Sequence, residues 1–199
     1  NKADKKKTAG RRLNIIIYFL AIGLAFLFIE IAFIQKFTLI LSQPLYAVAV
    51  TLCAFLIFSG LGSLYVQHCL KTASTAFIPV LLRRSIMLIG LITVFYIVVL
   101  PLISSTMMAL PEGARIISAV ILAAPLAFFM GMPFSLGLAT VQQTSPHLLP
   151  WAWGINGCAS VLSAILAVLL AIETGFNGVM LCAVMLYFIA WLSRIKSTA

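Results

Sequence analysis

LNIIIYFLAIGLAFLFIEIAFI, residues 13–34, carries a single charged side chain, Glu30, within an otherwise apolar run. Wound as an α-helix it rises roughly 33 Å, enough to cross a hydrocarbon core of about 30 Å. The run is too long for a signal peptide and has no small-residue cleavage site after it. It therefore reads as a membrane span that stays in place. The apolar stretch FTLIL allows the helix to continue towards Leu41.

Working outward, similar runs recur along the chain. Hydrophobic residues make up 63% of the 199 positions and charged residues only 9%, where a soluble domain keeps roughly a quarter of its residues charged. The chain is predicted to be an all-α, polytopic transmembrane bundle of about six spans. After residues 13–34 these are 45–66, 85–105, 115–141, 151–172 and 176–195, with a basic cytoplasmic lead-in or linker over 1–12 and the transmembrane domain over 13–199. FIPVLL (77–82) is too short to cross and is expected to be an interfacial or partly buried lead-in.

Charge sets the expected orientation. With the N-terminus in the cytoplasm, that side receives Lys2, Lys5, Lys6, Lys7, Arg11, Arg12, Lys71, Arg83, Arg84, Arg194 and Lys196, leaving Lys36 and Arg115 outside. Basic residues concentrate on the cytoplasmic side of short loops, and an even number of spans returns the C-terminus inside. Trp151, Trp153 and Trp191 then all fall near the cytoplasmic interface, where indole rings settle. The formal net charge of +9 comes from these flanks, so it points to a membrane face rather than to nucleic acid.

Lipid provides no hydrophobic drive between helices, so close packing rests on small residues and interhelical hydrogen bonds. FSGLGS brings Ser59, Gly60, Gly62 and Ser63 together. In the fifth span Gly157, Ser160, Ala164 and Ala167 fall on one strip at helical spacing. Pro125, Gly131 and Pro133 in the fourth span are expected to interrupt that helix, either as a kink or as a break lining a site. Polar groups inside spans are Glu30, Gln35 and Asn156. Glu30 is either a proton- or cation-linked carboxylate or a structural hydrogen-bonding group.

Catalytic and metal signatures are lacking. Cys53, Cys69, Cys158 and Cys182 are scattered, with no CxxC and no Cys/His cluster, and read as small packing residues. His68 and His147 lie at segment ends. No catalytic residue, metal ligand or cofactor site is assigned.

FIEIAFIQKFTLILSQPLYAVAV (28–50), FSGLGS (58–63), GMPFSLGL (131–138) and PWAWGINGCASVLSAILA (150–167) resemble the C-terminal membrane region of spermidine synthase-like integral membrane proteins. These are bacterial proteins that join transporter-like spans to a soluble aminopropyltransferase-type domain. Ser135 stands where many relatives carry proline, and Cys158 where a small alanine is usual. The resemblance implies a non-catalytic membrane domain that anchors a soluble enzyme unit. That unit needs a Gly-rich nucleotide loop and acidic residues; with no GxGxxG after a strand and only four acidic residues, it is expected upstream of residue 1 or on a partner chain. Two other readings stay open. One is an accessory subunit of a larger membrane complex; the other is half of a transporter for polyamine-like or other cationic solutes, built around Glu30, Asn156 and the fourth span. Apart from lipid, the expected partner is a protein.

Overall fold

The computed structural model describes residues 2–72 and 77–193, with side chains described from residue 10 onward. Within these residues the chain is helical and contains no strand. The elements are α1 (Lys2–Leu41), α2 (Pro44–Thr72), α3 (Ile78–Met108), α4 (Glu112–Thr144), a 3-10 turn (Pro146–Leu148) and α5 (Leu149–Leu192). All five α-helices are long and apolar enough to cross a membrane. The charge-bias positions Lys2, Lys5, Lys6, Lys7, Arg194 and Lys196 lie outside the described side chains.

α1 is the hub. In its most apolar stretch 61% of residues are buried, against 28% in α2 and in α3. It packs along α5 most extensively, and also on α2, α4 and α3. α2 lies against α4, and α3 against α4 and α5. An edge-to-face aromatic cluster ties three helices together: Phe33 of α1 sits 5.5 Å from Phe55 of α2 and 5.7 Å from Tyr96 of α3, centroid to centroid. Such pairs add roughly 0.5–1.5 kcal/mol each beyond burial. The outward faces are apolar, with Leu45 at 78% exposure, Ile172 at 73% and Leu102 at 70%. A water-facing surface of this kind would aggregate, whereas lipid solvates it.

Side chains tie the described connections at both ends of the bundle. Ser42 takes a positive φ of 60° between α1 and α2. Arg115 donates to Leu110 O at 2.8 Å and reaches Ile40 O at 3.3 Å, satisfying carbonyls at the ends of two helices. At the opposite end of the bundle, Arg11 donates to Thr144 O at 3.4 Å. Lys36 stands 5.9 Å over the Phe176 ring, a cation–π contact linking α1 to the middle of α5.

Three stretches add detail to the sequence reading. FIPVLL is a partly buried lead-in continuous with the next span: its residues from Ile78, itself buried, form the first turns of α3, with Pro79 near the helix start, where its missing N–H is harmless. α4 is not broken, running from Glu112 to Thr144 through both Pro125 and Pro133. Neighbouring tyrosines bond its backbone there. Tyr96 donates to Leu122 O at 2.7 Å and Tyr18 to Pro133 O at 2.6 Å, tying α4 to α3 and α1 near the two prolines.

The third is α5 (Leu149–Leu192), which includes both spans expected over 151–172 and 176–195. Gly175 interrupts it, with φ 67° and ψ −174°, a conformation open essentially to glycine alone. Gly178 then holds the Thr174 side chain where a Cβ would sit. Tyr187 lines the same cavity as Asn156 and Ser160. An unbroken helix would hold Asn156 and Tyr187 roughly 46 Å apart. The two halves of α5 therefore fold back on each other at Gly175.

Candidate functional site

A cavity of about 430 Å³ with polar groups on its wall is bounded by α1, α2, α4 and both halves of α5. Its construction starts from two glycines. A Cβ on Gly62 of α2 would strike the Phe128 carbonyl of α4, and a Cβ on Gly131 of α4 would strike the Ser59 carbonyl of α2. The exchange is reciprocal, so the two helices touch backbone to backbone, as small residues permit in lipid. That contact brings Ser63 and Ser135 to 2.6 Å, hydroxyl to hydroxyl. Ser135, expected to be a departure from the family pattern, is thus the hydrogen-bonding partner of an α2 serine.

On the other side, Gly23 of α1 lets α5 approach. A Cβ there would lie 2.9 Å from both the Ala159 Cβ and the Asn156 carboxamide oxygen. Ser163 donates to Leu24 O at 2.8 Å, fixing the register. The buried strip of α5 is Ala152, Ala159, Ser163 and Ala167. This differs from the predicted strip: Ala167 is shared and Ser160 is half-buried, but Gly157 and Ala164 are exposed, and no atom lies within 4 Å of a Cβ at Gly157. Gly60 is also exposed with open space around it, although it edges the cavity.

Polar groups on the cavity wall are the Ser63–Ser135 pair, Ser59, Ser160 and Asn156, with Tyr187 from the far half of α5. Ser160 donates to Asn156 O at 3.0 Å. Among the described residues nothing bonds the Asn156 carboxamide, whose oxygen lies against Gly23 of α1 and whose NH2 group brings two further donors to the cavity wall. Gly131 and its neighbour Phe134 line the cavity, whereas Pro125 and Pro133 do not. Phe134 packs edge-on to Trp153 at 5.0 Å.

Glu30 is not brought to this wall. It is 5% exposed on α1, one turn beyond Phe26 and Leu27, which do line the cavity. Among the described residues its carboxylate has no hydrogen-bond or ion-pair partner. Because α1 runs on to Leu41, Glu30 lies about 16 Å from the helix end, deeper than a stop at Ile34 would place it. Gln35 is half-buried further along α1. The expected trio of Glu30, Gln35 and Asn156 is therefore spread along the bundle, and Asn156 alone reaches the cavity.

Sequence reading did not single out Tyr18, Tyr96, Ser163 or Tyr187. Their signal was a hydroxyl in mid-span, which demands a partner when buried. Chemically, the cavity offers neutral hydrogen-bond donors and acceptors and no nucleophile–base pair. No family model, curated protein or solved structure matches this chain, so the family resemblance rests on the four quoted stretches.

Proposed function

We propose that this chain is the membrane domain of a spermidine synthase-like protein, anchoring and orienting a soluble enzyme unit at a bacterial cytoplasmic membrane. The observation that carries the reading is α1. One continuous helix joins the lead-in at Lys2 to the most buried position in the bundle. A soluble unit attached through that lead-in is coupled to the core, not to a peripheral helix.

Six crossings belong to this proposal. The reversal at Gly175 supports them, since each half of α5 flanks α1 within the bundle. Arg11, Arg12, Lys71, Arg83 and Arg84 fall at one end of the helices and Lys36 and Arg115 at the other, which supports a cytoplasmic face at the first end. Extraction from native membranes tests the anchor role by intact mass and copurification. A polypeptide well above 21.6 kDa, or this chain with a stoichiometric soluble nucleotide-binding partner, is expected. A solitary chain contradicts the anchor role, and a fixed set of membrane partners alone favours an accessory subunit.

The polar cavity favours a second reading, movement of a small solute. Its wall is uncharged, so it suits a neutral hydrogen-bonding molecule, and a polyamine cation would have to engage Glu30 one turn away. Uptake into proteoliposomes that falls with Asn156→Ala but not with Glu30→Gln supports the neutral-solute form. Loss with Glu30→Gln alone supports the cationic form.

A further inference from the structure

A second concavity lies on the outer surface, between the first half of α3 and the last turns of α5. It is a groove of about 810 Å³ with almost entirely apolar walls, including Leu91 and Val94 on one side and Phe188 and Trp191 on the other. Arg83 and Arg84 line one end of it, and both are exposed. From Arg84 to Val94 the groove follows α3 for roughly 15 Å, half the thickness of a hydrocarbon core and hence one leaflet.

We propose that this groove is a binding site for one anionic phospholipid, with an acyl chain along α3 and the phosphate on Arg83 and Arg84. The two limbs of the site match the two limbs of such a lipid. Guanidinium groups pair with phosphate oxygens through parallel N–H donors, an arrangement a lone ammonium does not offer. Basic pockets beside transmembrane helices select anionic headgroups on this principle. Charge favours an anion over a zwitterion at this end of the bundle. Of the four acidic residues, Glu112 and Glu173 sit at or near connections at the other end, and Glu30 lies in the half of α1 nearer Leu41. Asp4 lies outside the described side chains. Trp191 borders the arginine end, where an indole sits at headgroup level. Gly90 keeps the floor open, for a Cβ there meets only the Val184 Cγ1 at 3.9 Å. Nothing in this proposal depends on the anchoring role or on which membrane face is cytoplasmic.

Native mass spectrometry of the delipidated full chain tests the site, titrating phosphatidylglycerol against phosphatidylcholine of the same acyl composition. The wild-type chain is expected to retain one phosphatidylglycerol about tenfold or more tightly than phosphatidylcholine. Arg83→Gln with Arg84→Gln should abolish that preference, while Arg11→Gln with Arg12→Gln leaves it in place. Gly90→Leu, which fills the groove without touching the arginines, should weaken retention while melting as the wild type does. Equal retention of the two lipids overturns the proposal, as does equal loss in both arginine pairs. So does competition by millimolar inorganic phosphate as effective as the lipid, which marks a site for a free anion. A stoichiometric protein held in the groove in place of lipid also overturns it.

Discussion

At the scale of single residues, the bundle depends on a few positions where backbone meets backbone. Gly62 and Gly131 each face a carbonyl of the partner helix, so alanine at either site must push α2 and α4 apart. Overpacking of this kind costs typically 1–3 kcal/mol. Gly62→Ala and Gly131→Ala are therefore expected to lower the melting temperature in detergent clearly. Gly60→Ala and Gly157→Ala, which meet open space, should stay within about 0.5 kcal/mol of wild type. The Ser63–Ser135 bond is open to a double-mutant cycle with alanine, with an expected coupling of about 0.6 kcal/mol and no more than ~2. Zero coupling would mean that the two hydroxyls do not bond in lipid.

Glu30 poses a separate residue-level question. A charged side chain at mid-span costs about 2.5–3.5 kcal/mol on insertion scales, and no described group pairs with this one. Glu30→Gln keeps the shape and removes the charge. It is expected to fold with a stability within about 1 kcal/mol of wild type, or above it, because no buried partner is orphaned. A loss of 3 kcal/mol or more would instead reveal a buried ion pair. Differential scanning fluorimetry across detergents reads either outcome.

At the scale of elements, the decisive position is Gly175. Its φ of 67° and ψ of −174° are strained for any residue with a Cβ, and no atom lies within 4 Å of where that Cβ would be. Backbone strain alone sets the penalty, so Gly175→Ala should cost about 1–3 kcal/mol. α4 gives the opposite lesson. Pro125 and Pro133 pointed to a kink or a break because composition shows the missing N–H but not the tertiary packing that carries α4 through both. What holds the helix together is its packing against α2, α3 and α1, with the Tyr96 and Tyr18 hydroxyls bonding α4 carbonyls near the two prolines.

Legibility in the sequence follows the same division. The membrane class was readable, since apolar runs of span length are local and leave few alternatives. The register of α5 was not. Two neighbouring strips there are both built of small residues, and helical periodicity rates Gly157–Ala164 as highly as Ala159–Ser163. What selects the second lies on α1, where Gly23 opens a gap opposite Ala159 and the Leu24 carbonyl accepts from Ser163. The cavity was half legible: Asn156, Ser59 and Ser63 stood out as polar groups in spans, but their convergence with Ser135 needs the crossing of α2 and α4. Glu30 drew attention by charge and turned out to sit one turn outside the wall.

At the scale of the whole molecule, α1 is the most buried helix and all four others pack on it, so the bundle holds together around its first span. That arrangement suits a domain carrying something on its lead-in. It also requires the second half of α5 to return beside α1. Cysteine accessibility measures this return directly, in a background with Cys53, Cys69, Cys158 and Cys182 replaced by alanine. Single cysteines at Arg12, Glu173 and Ser193 would be challenged with a membrane-impermeant maleimide on sealed, oriented vesicles. With six crossings, Glu173→Cys reacts from one side of the membrane, and Arg12→Cys and Ser193→Cys both react from the other. Labelling of Glu173→Cys and Ser193→Cys from the same side, or of Arg12→Cys and Ser193→Cys from opposite sides, contradicts a chain that turns back at Gly175.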